Sequence, residues 1–275
     1  MKTTSLLVLT LALLILLAQT RPAPAEMDGL YGLTPTIGPE LPNLGFVTLR
    51  GTFPDPQCPA LSNSVGLAYP IGIGARELER ALGAEARASF SELAGNENGF
   101  CPEPGEEFPS SRTSETRVSF TARAPGRNHL SILTTTYAFG IGAAHGGSFS
   151  EAVTYDLRTG ERLELWDLFA DPAEAVPRLW DYVAKGWCVV SPQGTLPSFY
   201  ELPDSKCFSG NHPLPKALGA ARAPFSALGK VILTPEGMTV SLDPYEGWSF
   251  ADGPSSLDIP RNVLLRLGAD RELWD

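Results

Sequence analysis

The chain has 275 residues, with 31 acidic side chains against 21 basic ones and a formal net charge of −10. Hydrophobic residues make up 43% and charged residues 19%, which excludes a disordered chain and a polytopic membrane protein. Lys and Arg are scattered along the chain, so the sequence argues against nucleic-acid binding and against adhesion to anionic lipid. The abundance of Gly and Pro predicts a loop-rich globular protein.

The N-terminus has the pattern of a secretory signal peptide. Lys2 precedes an apolar run from Ser5 to Leu17, which is long enough for a signal sequence but short for a membrane span. The small residues at positions 23 and 25 form a cleavage site, so residues 1–25 are expected to be removed. An uncleaved anchor is the alternative. The mature protein is expected to be periplasmic or extracellular, with no membrane span after signal cleavage.

The cysteines agree with an exported protein, because disulfides form in oxidising compartments. Four cysteines permit three pairings, and we favour Cys58–Cys101 and Cys188–Cys207 because each pair lies in its own half of the chain. There is no Cys-x-x-Cys motif, and only His212 is close to a cysteine in sequence. We therefore expect no metal site and no cofactor.

The first half of the chain predicts a small α+β subdomain. Gly and Pro interrupt residues 26–46, which we interpret as an extended arm. Strands are expected at 46–53 and 64–69. Apolar residues at helical spacing predict a helix over 75–94 that ends at Gly95. We assign 47–125 to this N-terminal subdomain.

The second half, residues 126–275, predicts an antiparallel meander followed by further helices and a hairpin. A capping Asp171 before Pro172 starts a helix, which should kink or restart at Pro177 and end at Gly186. The fold class is α+β, an antiparallel sheet with helices packed against it. The predicted strands are 115–123, 130–139, 149–157 and 162–165, the predicted hairpin lies in 231–242, and the last helix begins at Pro260.

Two glycine-rich segments approach known catalytic or nucleotide-binding motifs without matching them. Gly72-Ile73-Gly74 begins like a dinucleotide-binding loop, but Glu77 stands where the third glycine is needed. Residues 146–150 are one residue short of a nucleophile elbow and continue as a strand instead of a helix. The first segment is therefore interpreted as a turn with a helix cap, and the second as the start of a strand.

His145, in an Ala-Ala-His-Gly-Gly segment, is the most distinctive polar residue. The favoured interpretation is structural: a ring held among small residues that hydrogen-bonds strand-end carbonyls, so that its removal would lower stability. The other interpretation is contact with a ligand or partner. A hydrolase acting on envelope polysaccharide would need His145 to work with Asp156 or Asp167.

Three consecutive segments resemble a known family. Residues 137–146 read Tyr-Ala-Phe-Gly-Ile-Gly-Ala-Ala-His-Gly, residues 155–160 read Tyr-Asp-Leu-x-Thr-Gly, and residues 165–169 read Leu-Trp-Asp-Leu-Phe. Together they resemble the extracytoplasmic domain of lysozyme-sensing anti-sigma factors, which also accompanies bacterial peptidoglycan deacetylases. The resemblance extends over roughly 65–268, without a sigma-binding segment or a deacetylase domain.

The resemblance implies an exported, non-enzymatic binding module of the cell envelope whose partner is a basic protein such as lysozyme, or peptidoglycan fragments. The alternatives are a polysaccharide hydrolase, a deacetylase-associated accessory protein and a structural envelope protein. Contacts are expected from loops at one end of the sheet, in 140–147 and 243–254. The binding residues proposed there are His145, Gly146, Asp243, Tyr245, Glu246, Trp248 and Asp252.

Overall fold

The structure is a computed structural model that describes residues 34–96, 101, 113–187, 230–243 and 255–275. The predicted signal peptide, Cys188 and Cys207 lie outside these residues. Residues 34–275 belong to one compact unit. In chain order, the strands of its larger sheet are β1 (Thr36–Ile37), β2 (Gly45–Pro54), β3 (Ser62–Ile71), β4 (Thr113–Arg123), β5 (His129–Phe139), β6 (Gly147–Asp156) and β7 (Arg162–Leu163).

The predicted antiparallel meander is confirmed for β4 to β7, which follow one another in the sheet with antiparallel pairing. β2 and β3 are also antiparallel, whereas β3 and β4 are parallel. Parallel neighbours need a crossover connection, and helix α1 (Arg76–Ala94) lies in that connection. The result is a mixed α+β fold, as predicted.

The short strand β1 pairs with the last part of β4, beyond the point where the pairing of β3 with β4 ends. β3 pairs with β4 only as far as Leu67 and Val118. Further along β4, Ile37 of β1 pairs with Ala122 in parallel. Ile37 also packs against a core cluster that includes Ala68 and Phe120. The last residues of β3 are therefore paired with β2 but not with β4.

Helix α1 forms where the sequence predicts it, because its apolar residues recur on one face. Leu78 and Ala86 are buried, and Phe90 meets Phe53 of β2 edge to face at 5.8 Å. Gly95 caps the C-terminal end through its backbone N–H. Next along the chain, Cys101 forms a disulfide with Cys58, with 5.5 Å between their Cα atoms.

A separate three-stranded antiparallel sheet is formed by β8 (Val231–Thr234), β9 (Gly237–Leu242) and β10 (Ser255–Pro260). The predicted hairpin joins β8 and β9. Gly237 has φ +152°, and a Cβ there would lie 2.0 Å from the carbonyl oxygen of Ile259. Helices α2 (Pro172–Trp187) and α3 (Arg261–Arg266) accompany this sheet. Their shared core includes the fully buried Leu179, Leu233, Val240 and Leu264.

Helix α2 differs from its prediction. Asp171 caps it as expected, accepting a hydrogen bond from the backbone N–H of Glu174 at 3.2 Å. The helix includes Pro177 without a restart and ends at Trp187, one residue after the predicted end at Gly186. Ala175, Val176 and Leu179 pack into the core around the small sheet, and this burial outweighs the local cost of proline and glycine in a helix.

Segment 162–165 also differs, because β7 is only two residues long and a 3-10 turn follows at Leu165–Leu168. The backbone N–H of Glu164 donates to the Asp167 carboxylate at 2.7 Å, which stabilises the turn in place of a longer strand. Among the helices in the described ranges, none is long and apolar enough to cross a membrane.

Candidate functional site

The loop between β5 and β6 is an exposed surface built from small residues. The backbone N–H of Ala143 donates to the carbonyl of Gly140 at 3.1 Å, and Gly142 has φ +77°. Gly146 is buried, and a Cβ at this position would come within 2.3 Å of the Tyr137 hydroxyl. Gly146 thus allows the Tyr137 ring to pack against the loop and has a packing role.

His145 is exposed, which contradicts the buried setting that its structural interpretation assumed. Its Nδ1 atom lies 3.0 Å from the carbonyl oxygen of the adjacent Gly146. This contact organises the loop locally, and the side chain is exposed to solvent.

Phe149 adds a large apolar side chain to this surface. It is 55% exposed and lies three residues from Gly146, near the start of β6. Its register partner on β5 is Thr136. An exposed phenyl ring beside a loop of small residues offers apolar area that a protein partner can bury. We call residues 140–149 the 140–149 surface; the sequence analysis missed Phe149 because strand alternation alone does not reveal which face is left uncovered.

Asp243, one of the proposed binding residues, is buried, with only 7% of its surface exposed. Its Oδ2 atom accepts hydrogen bonds from the Ser150 backbone N–H at 2.7 Å and from Lys230 Nζ at 2.6 Å. The bond to Ser150 places Asp243 next to the 140–149 surface. The other predicted contact residues lie outside the described part of the chain: Tyr245, Glu246, Trp248 and Asp252.

The geometry does not bring His145 together with the carboxylates proposed for a hydrolase. Asp156 is at the far end of β6, and a strand rises by about 3.3 Å per residue, so it lies roughly 30 Å from Gly147. Asp167 follows β7, which pairs with β6 near Tyr155. No group of three or more possible metal-ligating side chains occurs within the described ranges.

Asp156 has a structural role at its own end of the sheet. Its carboxylate accepts hydrogen bonds from the Arg158 side chain, the closest at 2.7 Å, and from the Arg158 backbone N–H at 2.8 Å. The Arg158 side chain is the main reason why the pKa of Asp156 falls to about 2. The nearby imidazole is the buried His129, its partner in the strand register, whose pKa burial lowers.

Asp156→Asn should reveal this stabilisation through its pH dependence. Arg158 is half exposed, so we expect a loss of about 0.5–1 kcal/mol in the free energy of unfolding at pH 7. A carboxylate with a lowered pKa stabilises above its unfolded-state value, 3.8, and this stabilisation is lost as the pH falls through about 2. Urea unfolding of both proteins from pH 7 downward measures the difference, and a difference independent of pH would contradict this assignment.

Comparison with known proteins supports the fold. No family profile and no curated protein matches the chain. A member of the DUF3298 family from Bacteroides fragilis NCTC 9343 is similar, with a TM-score of 0.54, 17% identity, and coverage of 84% of this chain and 95% of that chain. A DUF3298 family protein from Pseudomonas aeruginosa PAO1 has a TM-score of 0.49 and 19% identity, and the match covers 84% of this chain and 96% of that chain. At these identities the likeness concerns the fold, and the resemblance to lysozyme-sensing domains stays a prediction.

Proposed function

We propose that the protein is an exported, non-enzymatic binding module of the cell envelope that docks a cationic envelope-active protein, with lysozyme as the partner to test first. One observation carries the proposal. Ser150, which is next to the exposed Phe149, donates its backbone N–H to the carboxylate of Asp243, so the first residue of the predicted 243–254 contact segment lies beside the 140–149 surface. Export rests on the signal-like N-terminus.

The chemistry of this end of the sheet suits such a partner. Phe149 supplies apolar area for an anchor, and the small residues of the loop let a partner approach the backbone closely. Glu151 is also exposed, two residues along β6, and points to the same side as Phe149. The net charge of −10 would attract a basic protein and mainly speed their encounter.

The proposal is tested by measuring binding to hen-type and goose-type lysozymes by calorimetry at low salt and at about 0.5 M salt, where the screening length falls to about 4–5 Å. We expect binding at low salt that weakens as salt rises. Phe149→Ala should weaken it by about 30-fold, the loss typical of an anchor residue. Phe46→Ala is the matched control, because Phe46 is 44% exposed on β2, at the other side of the sheet.

No binding to any lysozyme at tens of micromolar in low salt would eliminate the proposal and leave a role in peptidoglycan binding or envelope structure. Equal losses in the Phe149 and Phe46 variants would show that binding does not use the 140–149 surface. Both variants are to be compared at matched folded fractions, since Phe46 also packs edge to face on Phe120.

His145→Ala separates the two interpretations of this histidine. Because the side chain is exposed, we expect the free energy of unfolding to change by less than about 0.5 kcal/mol. Binding to the lysozyme partner should weaken by about 5-fold if the imidazole contacts it. Thermal melting and calorimetry measure the two effects. A large drop in stability with unchanged binding would restore the structural interpretation.

A further inference from the structure

A second surface feature lies on the first half of the chain, away from the 140–149 surface. An open groove of about 580 Å³ runs between the end of β3 and one face of α1. This volume is within the range of small-molecule sites. The side chains that matter for the argument are Tyr69 and Ile71 on the strand and Arg76, Arg80 and Arg87 on the helix.

The helix presents these arginines as a stripe. Arg76, Arg80, Gly83 and Arg87 are separated by four, three and four residues, which places them on one helical face. Gly83 is buried in the middle of this stripe. A Cβ at Gly83 would meet Arg87 Nη1 and Tyr69 Cε2, each at 3.4 Å. The Arg87 guanidinium group and the Tyr69 ring therefore come together over Gly83.

The two acidic residues near the groove, Glu77 and Glu79, already have partners within the protein. Glu77 forms an ion pair with Arg80. Glu79 Oε2 accepts hydrogen bonds from the backbone N–H groups of Gly72 and Ile73, at 3.0 and 3.2 Å. The loop at Gly72 and Ile73, which begins like a dinucleotide-binding loop, therefore binds the Glu79 carboxylate of the helix that follows it.

Arg76 and Arg87 retain their charge on this surface. Neither forms an ion pair within the described ranges, and both are exposed. Two uncompensated guanidinium groups on one groove stand out in a chain with a net charge of −10. Guanidinium groups donate paired hydrogen bonds to carboxylates and phosphates, so this arrangement is suited to an anion.

We infer that the groove binds an elongated organic anion with at least two acid groups. Arg76 and Arg87 are eleven residues apart, which puts their Cα atoms about 16 Å apart along the helix, and the Arg87 guanidinium group lies back against Gly83, on the side of Arg76. One acid group pairs with each arginine, and the body of the ligand lies against Tyr69 and Ile71. The acid groups are carboxylates or phosphates. This inference does not depend on lysozyme binding.

Calorimetry with three ligands tests the inference: trigalacturonate as a carboxylate source, tripolyphosphate as a phosphate source, and neutral N-acetylchitotriose as a sugar of equal length. At least one of the two anions should bind, and the anion with the higher affinity shows whether the groove prefers carboxylates or phosphates. Arg76→Gln and Arg87→Gln should each weaken binding by about 10-fold. Arg178→Gln, an exposed arginine on α2 with an ion pair to Glu174, is the control and should bind like the wild type.

Gly83→Leu gives an independent test, because it replaces a helical glycine by a strong helix former and fills the groove. Because Gly83 is buried against Tyr69 and Arg87, the leucine side chain must displace the Arg87 guanidinium group, so we expect loss of anion binding, and thermal melting checks that the variant is folded. The inference is overturned if the neutral trisaccharide binds as tightly as the anions, if neither anion binds at millimolar concentration in low salt, or if the Arg76 and Arg87 variants bind like the wild type. Lysozyme binding should be unaffected in all of these variants.

Discussion

Asp243→Ala is expected to lower the free energy of unfolding by about 3–5 kcal/mol. Asp243 and Lys230 form a buried ion pair, with side chains only 7% and 11% exposed. Removing the carboxylate takes this partner away from the Lys230 ammonium group, which stays largely shielded from solvent. It also removes the acceptor for the Ser150 N–H, which joins the small sheet to β6.

Chemical denaturation of the single variants and of the double variant Asp243→Leu with Lys230→Met separates the contributions. The double variant should recover much of the loss, because no buried charge is then left without its counterion. Glu174→Ala removes an exposed ion pair with Arg178 and is the control, with an expected loss near 0.5 kcal/mol. If Asp243→Ala costs no more than this control, the buried pair contributes little to stability.

Loss of the Cys58–Cys101 disulfide is expected to cost about 4 kcal/mol, the chain-entropy value for a separation of 43 residues. The closed loop contains β3 and α1, so the bond restricts the part of the unfolded chain that must form the parallel crossover. Near one end of the bond, the Asp55 carboxylate accepts hydrogen bonds from the backbone N–H groups of Gln57 and Cys58, at 2.9 and 2.8 Å.

The double variant Cys58→Ser with Cys101→Ser measures this contribution by urea unfolding, since reduction of the wild type would also act on Cys188 and Cys207. The predicted pairing of those two cysteines is tested in the same variant by comparing its stability with and without reductant. A double variant as stable as the wild type would contradict the expected constraint on the unfolded chain.

Local patterns were sufficient for much of the fold. The apolar spacing of Leu78 and Ala86 determines the buried face of α1, and the glycine at 237 allows a turn that a side chain would block. The same local rules predicted a kink or restart at Pro177, yet α2 has no restart there, because Ala175, Val176 and Leu179 pack into the core around the small sheet. The parallel pairing of β3 and β4 also needs contacts distant in sequence, which a meander pattern does not reveal.

The binding surfaces were harder to predict because they depend on which groups the fold leaves uncovered. A carboxylate at position 243 looks like a surface residue in the sequence, yet the fold places it against Lys230 and Ser150. Phe149 looks like a core residue in a strand, yet it is exposed. The spacing of Arg76, Arg80 and Arg87 does indicate a common helical face. The groove also needs Tyr69 of β3 opposite that face, and this contact between strand and helix is not visible in the sequence.

The insertion of β1 beside β4 makes the sheet fork. Because Ile37 occupies the place next to Ala122, the end of β3 diverges from β4 and carries Tyr69 and Ile71 towards α1. The strand side of the anion groove thus lies on the part of β3 that pairs with β2 alone.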